Sequence, residues 1–145
     1  MPILWHVNAP ETFWDDKNAP SWAKERGWFY DDSYINNEEQ YGQVLRLPER
    51  HPRLKIFFAH FFFMSAQLDR LDAIMQRYPN IMVDLTPGIE MYENFSKDIG
   101  SAGAFINKYS KHIVYGTDIG ARGVLSENDG VSYEESLERA DCTEP

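Results

Sequence analysis

Three residues of this sequence have the types and the placement to do chemistry together. Pro2-Ile3-Leu4-Trp5 is an apolar run that ends at His6. Leu54 to Ala59 is a second apolar run, and it ends at His60. Ile113-Val114-Tyr115 is a third, and after Gly116-Thr117 it reaches Asp118. Imidazole and carboxylate are side chains of proton transfer. α/β sheets place their chemistry at the carboxyl ends of their strands. Taken singly, each residue has a plainer reading. A histidine beside a strand is more often packed with a satisfied hydrogen bond, and an aspartate after a strand is often the cap of the next helix. Their equivalent positions on three strands point to one shared rim.

The elements that must position this rim follow from the patterning. Leu54–Ala59 is rich in strand formers and continuously apolar, as in a parallel strand buried on both faces. Strands are likewise expected over 2–7, 81–85 and 113–115. Between the first two lies a long connection, 8–37, dense in Phe13, Trp14, Trp22, Trp28, Phe29, Tyr30 and Tyr34. It reads either as a wall or lid over the strand ends or as a loop stapled down by its own aromatics. A short helix inside it has Asn18 as N-cap, Pro20 in its first turn and Gly27 as its stop.

A helix is expected over 37–50, capped by Asn37 and kinked or ended by Pro48. Another runs over 66–78, capped by Ser65, with Leu68, Leu71, Ile74 and Met75 as its core stripe. Residues 90–109 are helical in parts, with Ser96 or Ser101 as caps. Asp84 is an unusual acid inside an apolar strand, expected near a polar neighbour or the rim. His51 and His112 read as surface and strand-edge residues. Strand, loop, helix, strand, helix, strand, helix, strand is the order of parallel strands with crossover helices, hence an α/β fold. Residues 126–145 read as an acidic tail, with a short helix over 132–140.

At 145 residues the chain has length for one domain with a real core. A net charge of −9, with no basic stripe, argues against nucleic acid and anionic membranes as partners. Cys142 is the sole cysteine, so neither an internal disulfide nor a cysteine-based zinc site is expected. No basic leader and no apolar run of ~20 residues is present, which points to a cytoplasmic, soluble protein. A Gly-x-Ser-x-Gly elbow and a Gly-rich phosphate loop are also absent from the sequence.

Trp5-His6-Val7-Asn8-Ala9-Pro10-Glu11, Phe58-Ala59-His60-Phe61, Val83-Asp84-Leu85-Thr86-Pro87-Gly88 and Tyr115-Gly116-Thr117-Asp118 occur in this order. Together they resemble the carboxyl-terminal half of metal-dependent hydrolases of the amidohydrolase superfamily. The nearest branch is the amidohydrolase-2 group, which also contains non-oxidative decarboxylases. The resemblance implies a TIM-like (β/α) barrel, of which 1–125 is a half with four parallel strands. It implies that His6 is a metal ligand, that Asp118 is a metal ligand or general base, and that His60 binds metal or acts on the substrate. The metal would be zinc, with manganese as the alternative. The substrate would be a small organic molecule such as an amide or lactone, or a carboxylate losing carbon dioxide.

Two departures stand beside this resemblance. The sequence has no His-x-His pair, and it lacks the family's strand-four carboxylate or modified lysine. Metal binding is therefore expected to be weak or absent in the chain alone. The chain is expected to be a fragment or half of a larger enzyme, self-associating as a homodimer or aggregate through open barrel edges. The reading from another class is a non-catalytic α/β domain that binds a ligand or partner.

Overall fold

The computed structural model describes residues 1–15, 17–87 and 90–118. The expected tail helix, Cys142 and the boundary at 125/126 lie outside the described residues. Four parallel strands form one sheet: β1 (Ile3–Trp5), β2 (Ile56–Phe58), β3 (Ile81–Asp84) and β4 (Ile113–Val114). Among the described residues six α-helices lie between them: α1 (Ser21–Glu25), α2 (Asn37–Val44), α3 (Arg46–Arg50), α4 (Leu68–Arg77), α5 (Met91–Lys97) and α6 (Ile99–Lys108). The fold is thus α/β with helices between parallel strands, as the patterning predicts. None of these helices is long and apolar enough to cross a membrane.

The strands lie in chain order, β1-β2-β3-β4. Crossovers between parallel strands are right-handed, so this order gathers the helices on one face of the sheet. The register shows which residues meet them. Ile3, Ile56 and Ile81 form one row, and Trp5, Phe58, Val83 and Ile113 the next. Both rows belong to the main core, with Leu71, Ile74 and Met75 of α4 and Phe105 of α6. The alternate residues Leu4, Phe57 and Met82 form a row on the opposite face. There Leu4 is 70% exposed and Val114 41% exposed, so this face is partly uncovered among the described residues. Among the described residues β1 and β4 each pair on one side only.

Several caps sit elsewhere than expected, for local reasons. Asn36, not Asn37, caps α2, accepting the Glu38 N–H at 2.8 Å. Asn37 is instead buried, and its amide oxygen accepts from Asn8. Pro20, not Asn18, precedes α1, while Asn18 donates to Asp15 at 2.6 Å. α4 starts after Gln67, and Ser65 accepts from Asn94 at 3.1 Å. Asp98, overlooked in the sequence, splits 90–109 into α5 and α6 and accepts the Ser101 N–H at 3.0 Å. The expected 37–50 helix breaks at Leu45. Pro48 has no N–H to offer Val44, and its ring crowds that carbonyl.

Gly116 sits where β4 passes the β3 end. A Cβ there would collide with Thr86 Oγ1, and Thr86 is buried. Gly116→Ala should therefore destabilise the fold by about 1–3 kcal/mol, as overpacking does. Combining it with Thr86→Ala should recover part of that loss in urea unfolding. A double variant no more stable than Gly116→Ala would contradict the contact.

Candidate functional site

The site is built on an uncommon backbone turn. After β2 the chain enters the left-handed region at His60, Phe61, Phe62 and Phe63, with φ of 53°, 56°, 58° and 52°. Each such residue costs about 1–2 kcal/mol when it carries a Cβ, so the turn needs anchors. Asp84 supplies one: its Oδ1 accepts the His60 N–H at 2.7 Å and the Thr86 N–H at 3.2 Å. This accounts for an acid in an apolar strand. Tyr41 supplies another, donating its hydroxyl to the Phe62 carbonyl at 3.0 Å. Burial pushes the Tyr41 hydroxyl up, so it stays protonated and a donor. Phe61 and Phe62 are fully buried. Phe62 stacks on Phe58 at 3.9 Å between centroids, and Phe61 meets Phe95 at 5.1 Å.

This turn delivers His60 to His6. Their rings lie 4.9 Å apart, edge to face, with Phe63 at 5.1 Å from His60 and 5.4 Å from His6. A cavity of about 490 Å³ is lined by His6, His60 and Asp118. The three residues proposed from the sequence thus share one cavity beyond the carboxyl ends of β1, β2 and β4. The long connection contributes Phe13, Arg26, Trp28 and Tyr30 to the same lining. Both readings of that connection hold. It is a cavity wall, and it has its own small core of Ala9, Phe13 and Ala23 with Trp14, Trp22 and Tyr30. His51 and His112 line neither this cavity nor the larger one beside it. That second cavity, about 600 Å³, shares His60 and Phe63 and is rimmed by Glu11, Asp15, Glu38, Glu90 and Glu93.

The electrostatics of the two imidazoles differ. Burial first, and then the neighbouring His60, hold His6 below its ordinary value of 6.5. Asp118 and Asp84 pull in the opposite direction. His60 is only 9% exposed, and its buried Nδ1 has no hydrogen-bond partner among the described residues. A buried, unbonded ring nitrogen fits either a ligating atom or a donor to a bound molecule. The wider donor set does not fit a metal as arranged here. Among the described residues no group of three or more His, Cys, Asp or Glu could hold an ion. Oδ1 of Asp84, whose charge also acts on His6, already accepts two backbone N–H groups.

Two contributors were missed or only half seen in the sequence. Arg26 carries its signal in being a cation set among Trp22, Trp28 and Phe29. Asp84 stood out as an acid, but its role depends on the left-handed turn beside it. No family model, curated protein or solved structure matches the chain. The likeness to the amidohydrolase superfamily therefore rests on the four quoted segments.

Two outcomes follow from this geometry. Asp84→Ala leaves two buried N–H groups without their acceptor, at about 1–3 kcal/mol each. It should lower the urea midpoint and collapse the His60 turn; an unchanged midpoint would contradict the brace. Second, a His held low binds its proton less readily folded than unfolded, so its share of stability is present above pH 6.5 and is lost as pH falls through the folded pKa. The His6 Hε1 resonance should titrate below 6.5. A midpoint at or above that value would refute the sheltering.

Proposed function

We propose that this chain carries half of a (β/α)-barrel hydrolase site and acts on a small organic molecule such as an amide or lactone. The observation that carries the reading is the single cavity shared by His6, His60 and Asp118 at the carboxyl ends of β1, β2 and β4, three parallel strands of one sheet. The uninterrupted strand order and the partly uncovered sheet face support the barrel part of it.

In this reading Asp118, exposed on the cavity lining, takes the proton of an attacking water and returns it to the leaving amine or alkoxide as the tetrahedral intermediate collapses and the C–N or C–O bond breaks. The His60 imidazole, enclosed beside Phe63, donates to the oxyanion that develops on the substrate carbonyl. Such a donor acts more strongly in an enclosed, water-poor wall than in bulk water. His6, held toward its neutral form, adds an acceptor nitrogen next to His60. The zinc or manganese implied by the resemblance does not fit the described residues as they stand, so none of these steps runs through a metal.

A second reading has its own support. The flat aromatic lining of the same cavity, from Phe13, Trp28, Tyr30 and Phe63, also suits a domain that binds a small molecule without turning it over.

One assay separates the two. The chain is tested at pH 8 on a panel of p-nitrophenyl esters, anilides and lactones, with and without added zinc or manganese. The hydrolase reading predicts turnover that falls about 100- to 10,000-fold in Asp118→Ala and about 100- to 1,000-fold in His60→Ala. Equal rates in wild type and both variants, or no turnover on any substrate, would overturn it in favour of a binding role.

A further inference from the structure

The aromatic connection holds Arg26 against two tryptophan rings. α1 ends in a Schellman arrangement. The Trp28 N–H donates to the Ala23 carbonyl at 2.8 Å, and the Gly27 N–H to the Lys24 carbonyl at 3.0 Å. Gly27 takes the left-handed conformation this requires, with φ of 69°. Arg26 and Trp28 are thereby fixed on either side of the helix stop. The Arg26 guanidinium lies 5.3 Å from the Trp28 ring and 5.8 Å from the Trp22 ring. Those two rings meet edge to face at 5.9 Å. Aromatic contacts of this kind orient the planar fork while leaving its N–H groups free to donate.

The fork is also unpaired among the described residues. Arg70 pairs with Glu38 and Arg77 with Glu49, but no ion pair or side-chain hydrogen bond involves Arg26. Arg46, Arg50 and Arg53 also make no ion pair among the described residues, but none of the three lines this cavity. Arg26 lines the same cavity as His6, His60 and Asp118, and Phe13, Trp28, Tyr30 and Phe63 supply flat apolar lining.

We propose that Arg26 is the anion-recognition group of this cavity, and that the ligand carries a carboxylate on a flat, apolar body. A carboxylate presents two coplanar oxygens that match the guanidinium fork. Phosphate suits the site less well: Asp118 adds negative charge to the lining, and among the described residues no second arginine or lysine lines it. The inference deepens the proposed function by naming a substrate class. It rests on the cavity being the substrate site, not on the hydrolytic step.

The test is a calorimetric titration of the 145-residue chain at pH 8 with benzoate, its neutral counterpart benzamide, and inorganic phosphate. Benzoate should bind more tightly than either. Arg26→Gln should weaken benzoate about 10- to 100-fold, the worth of a charged hydrogen-bond pair, and leave benzamide within about twofold. Arg26→Lys should recover part of the loss, because the charge returns without the fork. Should Arg26→Gln unfold, the wild-type Arg26 Nε–H resonance serves instead, and it should shift on addition of benzoate but not benzamide.

Benzoate affinity unchanged in Arg26→Gln, or no benzoate shift of that resonance, would overturn the proposal. So would benzamide or phosphate binding as tightly as benzoate, or benzoate failing to bind wild type. Asp118→Asn keeps the two hypotheses apart. It should lose turnover yet bind benzoate at least as tightly as wild type. A failure of the hydrolytic reading therefore leaves the Arg26 result standing, and the reverse also holds.

Discussion

Asp84 holds its carboxylate inside an apolar strand, 5% exposed, and spends it on backbone N–H groups. Ionic and polar groups are tolerated at such depth only when their hydrogen bonds are met. Here the partner is the N–H of His60, the first residue of a left-handed run that would otherwise be unfavourable. The bond does two things at once. It satisfies a buried acid, and it turns the chain so that His60 meets His6 while Phe61 and Phe62 drop into the core. Strain of this kind persists only when surrounding contacts over-determine it, and it gathers at functional sites.

The cavity joins two parts of the molecule with different origins. The sheet contributes strand-end residues whose positions follow from register and alternation. The 8–37 connection contributes a wall stabilised by its own aromatic cluster, with Trp14 and Tyr30 stacked at 4.6 Å. Because that wall has a core of its own, it presents Arg26 and Trp28 on a defined backbone rather than on a loose loop. The result is a chamber with proton-transfer groups from the sheet and a cation and aromatic faces from the connection. That combination is suited to holding a flat acid with its reactive part toward the histidines.

Much of the fold was legible in the sequence because the strands are short, apolar and separated by helical periodicities. The Leu68, Leu71, Ile74 and Met75 stripe lies on α4 as read, and Gly27 stops α1 as read. The convergence of His6, His60 and Asp118 was legible because strand ends in a parallel sheet share one rim. The caps were less so. Asn36 and Asn37 are chemically identical, and only the burial of Asn37 against Asn8 decides which one caps α2. Asp98 competes with Ser96 and Ser101 for one helix start, and backbone geometry selects it. The left-handed run at 60–63 had no signal, since it contains neither glycine nor asparagine. The pairing of Arg26 with Trp22 and Trp28 depends on how the helix stop folds back.

The central claim is that Asp84 sets the turn that brings the two histidine rings together. Nuclear Overhauser spectroscopy on selectively histidine-labelled protein reads this directly. With ring centroids 4.9 Å apart, a cross-peak between His6 and His60 ring protons is expected in the wild type. It should vanish in Asp84→Ala while the peaks of the α4 core persist. No cross-peak in the wild type, or one that survives removal of the Asp84 carboxylate, would contradict the account.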